Sequence, residues 1–174
     1  MRRLLLLRHA KAERSEPGGG DEARPLTVRG RADAAKVGAY LARHRLIPEL
    51  ALISSAARTR ETWQQAAAAF GTAPPAQFEE RLYGAAPEMI LQVIREAASE
   101  AATVLVIGHN PGLHETAITL VAAGDIEARQ RLNEEFPTSA LAVIEFAVAE
   151  WRTVHPQGGR LEHFVLAQSL AAAD

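Results

Sequence analysis

The chain has 174 residues with 19 Lys/Arg, 21 Asp/Glu and no cysteine, a net charge of -2. Without cysteine there is no disulfide framework, no thiolate nucleophile and no cysteine-held zinc or iron–sulfur site, which fits a reducing compartment and makes the cytoplasm the expected location. The charge argues against a general nucleic-acid binder, no apolar run nears the ~18 residues of a membrane span, and the length suits one domain, 1–174, burying roughly two thirds of the surface its unfolded chain exposes.

In chain order, "MRRLLLL" imitates the start of a signal peptide, but four leucines fall short of the ~7 residues of an apolar h-region. Leu4–Leu7 instead reads as a fully buried parallel strand, since its apolar residues run without alternation. Arg8 and His9 follow at once. Residues 1–31 hold eight Lys/Arg against four acids, so they stand at +4 and the remainder at -6, a bias that suits a small anion. "ERSEPGGGDEARP", Glu13–Pro25, is a glycine-rich polar loop long enough to suggest a function, and its glycines lack the Gly-Lys-Ser/Thr ending of a P-loop.

Thr27 is a fitting N-cap for a helix through Arg43, with Ala34, Val37 and Leu41 on its inner face. Glu49–Ser54 reads as a second strand, followed by an alanine-rich helix over Ala57–Phe70 that Gly71 and Pro74–Pro75 end. A short strand at Ala76–Phe78 precedes a helix over Pro87–Ser99, with proline at its first position. "TVLVIGHNPG" repeats the opening punctuation: a buried strand, Thr103–Ile107, then Gly108, His109 and a helix starting near Pro111. "ALAVIEFAV" and "HFVLA" read as two β segments around a turn at Pro156–Gly159. Such alternation predicts an α/β fold, a three-layer α/β/α sandwich with a mostly parallel central sheet.

In an open α/β sheet, ligands collect beyond the carboxyl ends of the strands. Three expected strands end in chemistry there: Arg8–His9, "SSAAR" with Arg58, and Gly108–His109. If those ends are adjacent, two arginines and two histidines converge. Guanidinium forks suit phosphate oxygens, and an imidazole can attack phosphorus while its neighbours stabilise the charge on the equatorial oxygens, with no metal required.

"LLLLRHAKAE", "RPLTVRG", "ISSAARTRETW", "ERLYGA", "VIGHNPG" and "FPTSALAVIEF" stand in the order and spacing of the histidine phosphatase superfamily, which the chain resembles from Arg3 to about Phe146. It looks most like the SixA-like phosphohistidine phosphatase branch, and the resemblance implies a phosphoglycerate mutase-like fold. It also implies that His9 is the nucleophile that takes up the phosphoryl group and that Arg8, Arg58 and His109 complete the phosphate pocket, with Arg24 and Ser139 as further phosphate contacts. Glu80 stands where the larger phosphoglycerate mutases carry their general acid, and Glu79 is the neighbouring candidate. The family's usual "SP" after the second strand is Ser54–Ser55 here.

The expected activity is removal of phosphate from phosphohistidine on a protein, of the histidine-containing phosphotransfer type. The alternatives are a small-molecule phosphomonoester phosphatase or mutase of the same superfamily and, in another class, a non-catalytic phosphate-binding module. An alkoxide leaving group needs a proton donor, whereas imidazole, with pKa ~6.5, leaves once protonated by solvent, so ester activity would implicate Glu80. No cofactor and no metal are expected: His114 follows His109 by five residues, off the i, i+4 spacing of a zinc helix. His44, His155 and His163 lie outside the strand-end motifs, and Trp63 reads as core.

Overall fold

The computed structural model describes residues 1–172. Strands β1 (Arg2–Arg8), β2 (Leu50–Ser54), β3 (Ala76–Glu79), β4 (Thr103–Gly108), β5 (Val121–Gly124), β6 (Leu141–Phe146) and β7 (Gly159–Val165) form one seven-stranded sheet in the order β3-β2-β4-β1-β6-β7-β5. The helices are α1 (Val28–Arg43), α2 (Ala57–Ala67), α3 (Pro87–Arg95), α4 (Gly112–Leu120) and α5 (Ile126–Glu134). Only β6 opposes its neighbours, running antiparallel to β1 and β7, while the pairs β1/β4, β2/β4, β2/β3 and β5/β7 are parallel.

The leucine run explains the three layers. Successive side chains of a strand point to opposite faces. Leu4 and Leu6 therefore join a core with Ile90 and Ile94 of α3, Leu113 and Ala117 of α4 and Leu132 of α5, while Leu5 and Leu7 join one with Val37 and Leu41 of α1 and Trp63 of α2. All four leucines are fully buried, and each contributes roughly 1.5–3 kcal/mol of hydrophobic stabilisation. A strand buried on both faces cannot alternate, which is why its sequence does not.

Local chemistry sets most boundaries. The Thr27 hydroxyl accepts from the Gly30 amide at 2.9 Å, capping α1, and Pro87 opens α3. The second helix is completed by a 3-10 turn over Ala68–Phe70 before Gly71, whose φ of 73° ends it. Three differences from expectation have physical causes. The helix from Pro87 stops at Arg95 rather than Ser99, where Ala97 donates back to the Ile94 carbonyl at 3.1 Å and the chain turns toward β4. Strand β5 is short and glycine-ended, and α5 is capped by Asp125, which accepts from Ala128 at 2.9 Å; both lie in a stretch with little apolar periodicity. The last strand begins at Gly159, where alternation of buried and exposed residues starts.

Chain path and layers together define a crevice. After β1 the chain passes through α1 toward β2 on one face; after β4 it passes through α4 on the opposite face toward the other half of the sheet. Neighbouring strands whose connections diverge in this way leave a cleft beyond their carboxyl ends. His9 and His109 are the residues that follow β1 and β4.

The two helices on the first face pack backbone to backbone at Gly38: a Cβ there would stand 2.2 Å from the Ala66 carbonyl oxygen. Replacing Gly38 by alanine should destabilise the fold by about 1–3 kcal/mol through overpacking, lowering Tm by roughly 2–4 °C per kcal/mol in a thermal melt. An unchanged Tm would mean that α1 and α2 separate at no cost.

Candidate active site

The register of the sheet brings the strand-end residues together. Arg8 pairs with Gly108 across β1/β4, and Ile53 with Ile107 across β2/β4, so Arg8–His9, Ser54–Ser55 and Gly108–His109 leave the sheet at one edge. Because β6 is antiparallel, its beginning lies at that same edge and brings Ser139. The Ser139 amide donates to the carbonyls of Arg8 and His9 at 3.1 and 3.2 Å, from a left-handed backbone with φ of 64°. Two threonines of "RTRET" tie α2 to this edge. Thr62 accepts from the Ala10 amide at 3.0 Å and donates to the Arg58 carbonyl at 2.6 Å, and Thr59 donates to the Ser54 carbonyl at 2.7 Å. Gly112 lets α4 approach the chain before α3, since a Cβ there would stand 2.0 Å from the Ala85 oxygen.

His9, Arg58, His109 and Ser139 are 7, 6, 9 and 1 % exposed, and the two imidazole centroids are 5.3 Å apart. His9 Nδ1 lies 2.7 Å from the Ala10 carbonyl oxygen. A carbonyl only accepts, so this nitrogen carries the proton and Nε2 keeps its lone pair. His109 Nε2 lies 2.7 Å from Ser54 Oγ; with the serine hydroxyl donating, the ring proton sits on Nδ1. Burial pushes His9 down to about 3, against a smaller rise from the Ala10 hydrogen bond, with His109, Arg58 and Arg8 lowering it further. Burial, then Arg58, pushes His109 down to about 4. Both rings are neutral at pH 7, while the guanidinium of Arg8, lowered by burial and by Arg58, stays charged.

Four buried polar atoms around these rings lack partners among the described residues: Arg8 Nε, Arg58 Nε, His109 Nδ1 and Ser139 Oγ. Buried donors are rarely left unpaired. Four such atoms, on residues gathered from the ends of β1 and β4, the first turn of α2 and the approach to β6, can together take up a tetrahedral oxyanion. The donor set suits phosphate chemistry.

Of the residues singled out from sequence, the structure thus gathers His9, Arg8, Arg58, His109 and Ser139. Arg24 is one contact away: its Nε donates to the Glu13 carbonyl at 2.7 Å and its Nη1 to Asp21 at 3.1 Å. Glu80 is exposed on a 3-10 turn, Glu80–Leu82, and its carboxylate makes no hydrogen bond or ion pair among the described residues. Glu79 is held by a two-pronged pair to Arg81 at 2.9 and 3.0 Å.

The carboxylate that does reach the cluster is Asp21, in the loop before α1. Arg58 donates to its main-chain oxygen at 2.9 Å and to Oδ2 at 3.1 Å, and the Tyr83 hydroxyl donates to the same Oδ2. The Tyr83 ring meets His109 edge-on at 5.5 Å. Hydrogen bonds from Tyr83, then Arg24, hold the Asp21 carboxyl well below the usual carboxylate range. Sequence reasoning passed over Asp21, for which the available signal was an acid three residues before the arginine of "RPLT"; it left Tyr83 open between core and pocket wall and read Ser54 only as part of a turn.

Comparison with known proteins shows the family and the fold. Residues 4–89 match the sequence profile of the histidine phosphatase superfamily (branch 1). A Mycobacterium tuberculosis protein of uncharacterised function is 36% identical over 152 residues, 86% of this chain and 92% of that protein. The fold is similar to that of a protein provisionally assigned as the phosphohistidine phosphatase SixA of Agrobacterium tumefaciens, with a TM-score of 0.80 and 33% identity over 95% of this chain and 97% of that one. A counterpart with the same provisional assignment from Nakamurella multipartitia matches with a TM-score of 0.82 and 29% identity, covering 95% of each chain.

The depressed histidines carry a pH signature. In the unfolded chain both titrate near 6.5, so between about 6.5 and their folded values the unfolded state binds more protons. Stability is full above pH 6.5 and falls as pH drops through that window. Urea denaturation at pH 7.5 and pH 5 should show the loss, and a His9→Gln, His109→Gln double variant should flatten it. An equal slope in the variant would assign the acid sensitivity elsewhere.

Proposed function

Since this chain belongs to the histidine phosphatase superfamily, in its SixA-like branch, we propose that it is a phosphohistidine phosphatase acting on a phosphorylated protein through a phosphoenzyme intermediate at His9. One observation carries the proposal: a neutral imidazole with a free Nε2 lone pair sits inside a ring of buried, unpartnered donors. A nucleophile flanked by donors suited to an oxyanion is an arrangement for phosphoryl transfer.

In the first step the Nε2 lone pair attacks phosphorus, the bond from phosphorus to the substrate nitrogen breaks, and its electron pair stays on the departing ring. Arg8, Arg58, His109 and Ser139 hold the equatorial oxygens as their charge builds. In the second step water attacks the phosphorus on His9, the bond from phosphorus to Nε2 breaks with its electron pair returning to the ring, and the proton lost by the water passes to a phosphate oxygen or to solvent as inorganic phosphate leaves. The Ala10 carbonyl keeps the proton on Nδ1 throughout, so His9 departs as a neutral imidazole each time. The same cradle serves both steps without a metal.

The surface beside the site favours a macromolecule. A cleft of ≈ 270 Å³ lined by Gly84, Pro87, His109 and Glu115 runs out from His109. Pro87 and Glu115 also border a neighbouring apolar hollow of ≈ 390 Å³ beside Leu91 and Pro156. A phosphorylated side chain on a protein can reach His9 while its neighbours lie along this groove, and a histidine-containing phosphotransfer domain is the partner class that fits. The second reading, an ester phosphatase, depends on a donor for the leaving oxygen, and Glu80 makes no contact that would hold it in that role.

Rapid-quench labelling with a radioactive phosphodonor should give acid-labile, base-stable label on the parent protein and none on His9→Ala, with turnover lost by at least about 10³-fold. Stoichiometric phosphate binding without turnover in the parent would instead mark a binding module. Glu80→Gln should leave phosphohistidine hydrolysis within about threefold of the parent, because a ring nitrogen leaves without an enzyme acid. A loss beyond tenfold would install Glu80 as the donor.

A further inference from the structure

One carboxylate stands at the rim of an otherwise cationic hollow. Asp21 is about half exposed at its side chain, whereas Arg58, which it touches, is 7% exposed. His9 is 7 % exposed, and an in-line displacement sends the leaving group away from this buried nucleophile, toward the more exposed groups. Asp21 is therefore on the side where the leaving group departs.

Its surroundings keep Asp21 anionic. Arg58 of α2 and Arg24 of its own loop donate to the carboxylate, as does Tyr83 from the turn after β3. His109 after β4 faces it behind Tyr83, while the adjacent Glu22 turns away to accept from Ser55 at 3.4 Å. A carboxylate held in this way cannot give a proton to a leaving alkoxide. It can attract a cation.

Resting on the phosphohistidine reading, we infer that Asp21 is the residue that selects the leaving group, its carboxylate pairing with the protonated imidazole of the substrate as the bond to phosphorus breaks. A phosphorylated imidazole is an easy leaving group only when its second ring nitrogen carries a proton; it then departs neutral, the N–P electron pair remaining on the nitrogen that held phosphorus. Asp21 does for the substrate ring what the Ala10 carbonyl does for His9. Phosphate esters gain nothing from it, and an anionic leaving oxygen is repelled.

The test compares two substrates in one protein. Phosphoimidazole needs a protonated ring, and 4-nitrophenyl phosphate releases nitrophenolate without a proton. In Asp21→Asn the ratio of kcat/KM for phosphoimidazole to that for the nitrophenyl ester should fall about tenfold, the worth of one pKa unit of charge pairing. The main-chain anchor of Arg58 survives this substitution, and Asp21→Glu, which restores the charge, should keep the ratio within about threefold of the parent. Phosphoimidazole methylated on its second nitrogen, a permanent cation, should be preferred to the unmethylated compound at pH 8 by the parent and less so by Asp21→Asn. Equal losses on both substrates in Asp21→Asn would reduce Asp21 to a holder of Arg58 and overturn the inference alone. A parent that turns over the ester but neither phosphoimidazole would overturn the phosphohistidine reading and this inference together.

Discussion

Two guanidinium groups and two imidazoles brought into one buried hollow repel each other whenever all four are charged, and the rest of the site follows from how the fold resolves that repulsion. Desolvation keeps both imidazoles neutral. Arg58 finds its countercharge in Asp21, outside the ring of donors, and Arg8 leans on the Phe136 carbonyl at 3.2 Å. Among the described residues, the buried atoms left without a partner include two Nε atoms, of Arg8 and Arg58, with His109 Nδ1 and Ser139 Oγ. An anion bound there meets hydrogen bonds that are already in place, so little reorganisation is left for the moment of reaction.

Holding such a hollow open requires a stiff frame. The parallel pair β1/β4 supplies it, with every apolar residue of Leu4–Leu7 and Val104–Ile107 fully buried between two helical layers. The polar links are few and buried: Thr62 between Ala10 and Arg58, Ser54 under His109, and the Ser139 amide across the carbonyls of Arg8 and His9. Each sets the orientation of a side chain that faces the cradle. The rim is built differently. Asp21, half exposed at its side chain, and Tyr83, partly buried, come from the loop before α1 and the turn after β3 and reach the donors only through Arg58 and the edge of His109.

Much of this was legible beforehand because it is local. An unbroken apolar run is a strand buried on both faces; Thr27 before Val28 is a cap; Gly71 with two prolines beyond it ends a helix. The residues at strand ends were visible as punctuation repeated three times. The short β5 and the polar α5 were not, since neither has an apolar pattern that isolates it from a loop, and their formation depends on β7 and on the core around Leu132. The antiparallel course of β6 was equally hidden: direction within a sheet is a property of chain path, and strand sequences look the same in either sense.

The sequence by itself determined the alternation of strands and helices, the buried leucine frame and the identity of the side chains offered at the strand ends, because these depend on periodicity and on nearest neighbours along the chain. Tertiary structure alone decided that β4 inserts between β1 and β2, setting His109 beside His9, and that an antiparallel β6 carries Ser139 to the same edge. It also decided that Asp21, rather than Glu80, is the carboxylate in contact with Arg58. Those are juxtapositions of residues tens of positions apart, and only the order of the strands and the closing of a loop can bring them within hydrogen-bonding distance.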